Sequence, residues 1–179
     1  MLLDQWEKIS SIMLSVISAL AIVSGGTFTL IEYYDHKNNI KQSSSLALVS
    51  EYHSQDFIKY REKLDESWEI GYPVLIDILK SNTDKTKAYQ EFVIALVKKE
   101  EITSEVNNIM NFYERIAICV NSGLCNKKII DDFFIKNGRT FFRKYYPYVC
   151  LLRERWNDES IWKNIESYFN PGSLGKICR

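Results

Sequence analysis

Glycine, proline and histidine are scarce in this chain: seven, three and two among 179 residues. Few turn-formers and no sustained apolar-polar alternation argue against a β architecture, while apolar residues recur at helical spacing throughout. The two histidines, His36 and His53, stand far from the cysteines and do not share their spacing, so neither a zinc site nor any other metal site is implied. A glycine-rich phosphate loop, a GxSxG elbow and an HExxH helix are all missing, so no conventional enzyme is visible and no cofactor is called for. Net charge is also absent, with 23 basic against 23 acidic residues, but it is unevenly spread. From Asn126 onward eleven Lys and Arg face six Asp and Glu. A basic third of this kind suits nucleic acid, anionic lipid or an acidic partner, and equally a merely solvated face.

One absence is local and organises the rest. Between Ile9 and Ile31 no residue is charged, and the run reads ISSIMLSVISALAIVSGGTFTLI. As a helix rising about 1.5 Å per residue it would cross a hydrocarbon core of roughly 30 Å. Trp6 precedes it and Tyr33 and Tyr34 follow, where amphipathic rings favour membrane interfaces. A secretory signal peptide would need a basic leader and a small-residue cleavage site. Asp4 and Glu7 lie in the leader, and Gly25-Gly26 is followed by more apolar sequence, which favours a retained anchor. Lys8 before the span against Lys37 and Lys41 after it sets a modest bias toward a cytosolic C-terminal body.

At about 100° per residue the polar and small residues of the span gather in one sector. Ser11, Ser15, Ser18, Gly25, Gly26 and Thr29 share it, interrupted by Leu14 and Ile22. Ser11, Ser15 and Ala19 form a small-xxx-small series, which lets helix backbones approach closely in lipid. A single span has no other helix of its own chain to meet, so self-association is the expectation. A ring of such helices would turn Ser11, Ser15, Ser18, Gly25 and Thr29 toward a lumen with Ile22 as an apolar constriction. A close-packed dimer without a lumen would use the same stripe.

After the span, helix is expected to continue through Tyr34, with Asn38, Asn39 and Ser43 to Ser45 marking a possible break. Leu46, Val49 and Tyr52 then share a face, and Ser54 caps a helix carrying Phe57, Ile58, Leu64 and Trp68. Pro73 suits the first turn of a short helix, and Lys85 to Glu100 forms another. The clearest helix has Thr103 as its cap, a face of Val106, Ile109, Met110, Tyr113, Ile116, Ala117 and Val120, and Gly123 as its stop. Asn126 caps a short helix closed by Gly138, and Arg139 to Asn157 follows with a kink or division at Pro147. A last helix spans Asp158 to Phe169. The cysteines, Cys119, Cys125, Cys150 and Cys178, form no CxxC pair and lie in the part assigned to the cytosol, so reduced thiols are expected.

Chemistry is thin. Asp131 and Asp132 are read as favourable charge near a helix start. The tract RTFFRKYYPYVCLLRERWN mixes aromatic and basic residues, as a nucleic-acid surface would. The competing assignment puts Phe142, Tyr145, Val149, Leu152 and Trp156 in a core, with Arg143, Lys144, Arg153 and Arg155 on the wet side.

The single span, the helical body, the NFYERIAICVNSGL helix at Asn111 to Leu124 and the FFRKYYPYVCLLRER tract at Phe141 to Arg155 together resemble the small membrane accessory proteins of type VI-B CRISPR loci. That resemblance implies a divergent HEPN-like helical domain, assembly into a membrane pore, and action in phage defence beside an RNA-guided RNase effector. HEPN ribonucleases pair an Arg with a His a few residues on. Here Arg153 is followed by Asn157, which cannot act as an acid or base near neutral pH, so a structural role is expected of any HEPN-like remnant at Arg153 and Asn157.

The expectation is therefore an all-α protein with residues 1–35 as tail and transmembrane helix and residues 36–179 as a cytosolic, HEPN-like helical bundle. It would lie in a bacterial inner membrane, contact lipid and itself, and as a homo-oligomer permeabilise or depolarise that membrane. The alternatives are a membrane-anchored HEPN-like RNase and a non-enzymatic membrane adaptor, and contact with nucleic acid is left open.

Overall fold

The structure is a computed structural model; it describes residues 2–169, with side chains from Thr27 to Phe169. It is all-α, and no strand occurs among the described residues. The helices are α1 (Leu2–Tyr52), α2 (Gln55–Ser81), α3 (Lys85–Lys99), α4 (Thr103–Asn121), α5 (Lys127–Trp156) and α6 (Lys163–Phe169). Two compact units divide the chain, Met1–Ile40 and Lys41–Arg179. In the first, every residue from Thr27 to Ile40 is exposed, including Phe28, Leu30, Ile31, Tyr33 and Tyr34.

The second unit is built around α4. Its Val106, Ile109, Met110, Phe112, Tyr113, Ile116 and Ala117 are all buried, which matches the expected face except at Val120, which is half-buried, and adds Phe112. That wide apolar stripe packs on α2, α5 and α6, and α3 closes the bundle against α2 and α5. Tyr52, Phe57, Phe112 and Phe134 meet there as a cluster of rings with centroids 4.6 to 5.8 Å apart. Glu114 reaches from α4 to the start of α6, accepting from the backbone amides of Asn164 at 3.3 Å and Ile165 at 2.9 Å.

Three expected breaks do not occur. Through Asn38, Asn39 and Ser43 to Ser45 α1 stays helical; Ser45 is buried and donates to Lys41 O at 2.8 Å, one turn back. The Ser45 hydroxyl also accepts from the Asn126 amide at 2.8 Å, so a residue expected to loosen the helix fastens it to the start of α5. Pro73 lies inside α2 and Pro147 inside α5, so the short helix at Pro73 and the division at Pro147 are both replaced by continuous helices. Gly138 likewise ends nothing. It is buried in α5 because the ring of Phe169 lies where a side chain would be.

The capping expectations hold at Ser54 and Asn126. The Ser54 hydroxyl accepts from the Phe57 amide at 3.4 Å, and Asn126 accepts from Lys128 and Ile129 at 3.0 and 3.3 Å. At α4 the cap position is Ile102 rather than Thr103, with no side-chain bond.

The reduced thiols do not stand. A disulfide joins Cys119 to Cys125, with Cα atoms 5.3 Å apart, and Cys150 is disulfide-bonded as well. Sequence spacing alone did not reveal the first bridge, because six residues of separation become a short distance only when the chain reverses. The reversal comes after α4, where Gly123 adopts φ +69° and the amides of Leu124 and Cys125 both donate to Cys119 O, at 2.9 and 3.1 Å.

Candidate functional site

Among the stripe residues Ser11, Ser15, Ser18, Ile22 and Gly25 lie outside the residues whose side chains are described, and Thr29 is exposed. Among the residues whose side chains are described no helix is long and apolar enough to cross a membrane, and Ile9 to Gly26 of the uncharged run lie outside them.

The aromatic and basic tract falls on α5 and splits largely by depth. Phe142, Tyr145 and Val149 are buried, Leu152 is half-buried, and Arg143 and Arg155 are exposed. Two residues swap sides against expectation: Trp156 is 70% exposed, while Arg153 is 6% exposed. The reason for the second is polar complementarity. Arg153 Nε and Nη2 donate to Ile161 O at 2.9 and 2.7 Å, and Nη1 donates to Glu166 Oε2 at 2.9 Å. Glu166 Oε1 accepts from the Tyr146 hydroxyl at 3.0 Å. Burial, and then the charge and hydrogen bond of Glu166, push the Tyr146 hydroxyl up to about 12. This network ties the end of α5 to α6.

Asn157 sits four residues on as the C-cap of α5, with φ 49° and ψ 44°. The left-handed region suits asparagine better than most residues. Its amide closes the helix on Glu154 O at 3.3 Å. Arg153 and Asn157 thus both have structural work: one guanidinium committed to two partners, one backbone position that turns the chain.

His53 Nδ1 lies 2.8 Å from Val49 O, on its own helix turn. Asp131 accepts from the Lys127 ammonium and the Tyr168 hydroxyl. Burial pushes its carboxyl up, but those hydrogen bonds and the Lys127 charge outweigh it and leave it below its ordinary value. It therefore joins α5 to α6 rather than offering a base. Among the described residues no group of three His, Cys, Asp or Glu side chains is placed to hold a metal ion.

What sequence reasoning missed is a cavity of about 480 Å³ whose lining includes Arg61 and Asp65 of α2 and Lys136, Thr140 and Lys144 of α5. Periodicity held the signal for α5, since Lys136, Thr140 and Lys144 recur every four residues and share a face. Nothing in the sequence marks Arg61 as their counterpart.

An all-α body of buried aromatic packing, with arginine and carboxylate ties between helices, is the class of protein that the fold defines. A family model described as Domain of unknown function (DUF4760) matches residues 9–170, and the chain belongs to that family. No curated protein and no solved structure matches it.

Proposed function

We propose that the chain is a membrane-anchored protein that self-associates through its N-terminal helix and permeabilises or depolarises a bacterial inner membrane in antiviral defence. The observation that carries this is the uncharged run from Ile9 to Ile31 with its polar and small residues on one face. The large apolar side chains exposed at its end, Phe28 at 63%, Leu30 and Ile31 at 59%, support it, since such a concentration is what lipid or a second copy would cover. On this reading Ser11, Ser15, Ser18, Gly25 and Thr29 line the passage, Ile22 narrows it, and the helical body, HEPN-like, receives the signal from an RNA-guided RNase effector.

Replacing both Ser15 and Ser18 by Leu is expected to abolish ion leak from cells expressing the full chain while leaving the protein in the membrane fraction. Unchanged leak would sink the assignment. Light scattering of the detergent-solubilised protein, with detergent subtracted, should give a large closed oligomer; a monomer or dimer leaves no room for a lumen. The anchored-RNase alternative instead requires RNA cleavage that is lost on Arg153→Ala, and the adaptor requires neither leak nor cleavage.

Lys37 and Lys41 favour a cytosolic body, whereas one observation favours the opposite orientation. Disulfides persist in oxidising compartments and are rare in cytosolic proteins, and here Cys119, Cys125 and Cys150 are all bridged. Alkylating intact thiols at lysis separates the two orientations. A cytosolic body should yield protein modified at its four cysteines, whereas a body on the oxidising side should yield protein that is labelled only after reduction.

A further inference from the structure

The geometry points to the cavity that α2 and α5 line as a binding site for a small organic phosphate. Its volume of about 480 Å³ falls within the range of roughly 300–1,000 Å³ usual for small-molecule pockets. Arg61, Lys136 and Lys144 bring three cations to the lining against one carboxylate, Asp65. Among the described residues none of the three is ion-paired, although eight other Lys or Arg side chains are.

Two of these cations are held rather than loose. The Arg61 guanidinium lies over the Tyr52 ring at 4.3 Å, and its Nε is buried with no hydrogen-bond partner. A buried donor left unmade is costly, so the guanidinium keeps this place through the Tyr52 ring rather than through a hydrogen bond at Nε. Lys144 Nζ lies 4.3 Å from the Trp68 ring centre. Burial pulls that ammonium below its ordinary value while the charge of Asp65 pushes the other way. A cation stripped of part of its water shell gains more from a bound anion than one in bulk solvent.

Shape and register agree with this. Lys136 and Lys144 present two ammonium groups about two turns apart on α5, with Arg61 one turn from Asp65 on α2, while the Thr140 hydroxyl between them donates to Lys136 O at 3.0 Å. Fixed guanidinium and ammonium donors around a concave site are the chemistry of phosphate recognition, with charge-assisted bonds stronger than neutral ones. A carboxylate ligand would use fewer of these donors. The site does not depend on the membrane reading and would stand if that reading failed.

Isothermal titration of the full chain in detergent tests it, with pyrophosphate, ATP, adenosine and a short single-stranded RNA as probes. Pyrophosphate and ATP are expected to bind and to raise the melting temperature, and adenosine is expected not to bind. Lys136 is exposed, so Lys136→Gln should keep the unliganded melting temperature and weaken ATP about tenfold. Lys144→Gln should weaken it at least as much. No binding of either phosphate at millimolar concentration overturns the proposal, as does binding that both variants leave unchanged. Binding of the RNA that ATP does not displace also overturns it and makes the basic face a nucleic-acid surface.

Discussion

Arg153→Met is expected to destabilise the helical body by about 3–5 kcal/mol, the usual cost of removing one partner from a buried ion pair. Against a total of roughly 5–15 kcal/mol for a domain, that is a large share. Methionine keeps much of the volume, so the loss is polar. Ile161 O loses both donors it receives from Arg153, and Glu166 keeps only the Tyr146 hydroxyl of the contacts described. Glu166, whose side chain is 28% exposed, recovers some solvation, which places the effect toward the lower end. Denaturant melts of the full chain followed by circular dichroism measure it. Adding Glu166→Gln to Arg153→Met should restore part of the loss, because the remaining charge no longer needs a partner. A variant as stable as the parent would return Arg153 to the solvated side and reopen a catalytic role. The same measurement protects the RNase test: cleavage lost together with fold says nothing about chemistry.

Gly138→Val is expected to cost about 3 kcal/mol, by overpacking a filled interior. A Cβ at this position would stand 2.4, 2.6 and 2.9 Å from three ring carbons of Phe169. The ring cannot easily withdraw. Phe169 is fully buried, packs edge-on against Tyr113 at 5.3 Å, and its carbonyl accepts from Arg139 Nε at 2.9 Å. Gly138→Ala should therefore also destabilise, although alanine is favoured over glycine in a helix by about 1 kcal/mol. Gly71→Ala provides the contrast. Its nearest neighbours are Leu96 Cδ1 at 2.9 Å and Phe92 Cζ at 3.0 Å, the far ends of side chains, so the helix gain and the crowding should nearly cancel. Paired denaturation curves for the two alanine variants decide the matter. Equal stability of the two would show that Phe169 has room to move.

These residues also mark what was legible beforehand. The α4 face could be read because one helix is buried along almost its whole apolar stripe, and periodicity reports that directly. Ser54 and Asn126 could be read because capping is a local bond between a side chain and an amide two or three residues on. Pro73, Gly138 and Pro147 were misread as ends for a shared reason: local propensity disfavours them inside helices, and long-range packing overrode it. Arg153 and Trp156 exchanged places for a related one. Helical spacing assigns a face, but only the position of Ile161 and Glu166 makes burial of a guanidinium favourable.

The sequence by itself determined that the protein is all-α, where its clearest helix runs, and that an uncharged 23-residue run precedes the helical body. Each of these follows from composition and from spacing within a few turns. The tertiary structure alone decided that Cys119 meets Cys125, that Ser45 and Asn126 join α1 to α5, and that Arg61 lines one cavity with Lys136 and Lys144. The last two depend on contacts between residues tens of positions apart, which hydrophobic period does not encode; for the bridge, the stop at Gly123 was legible, but not that the turn returns the amides of Leu124 and Cys125 to Cys119 O.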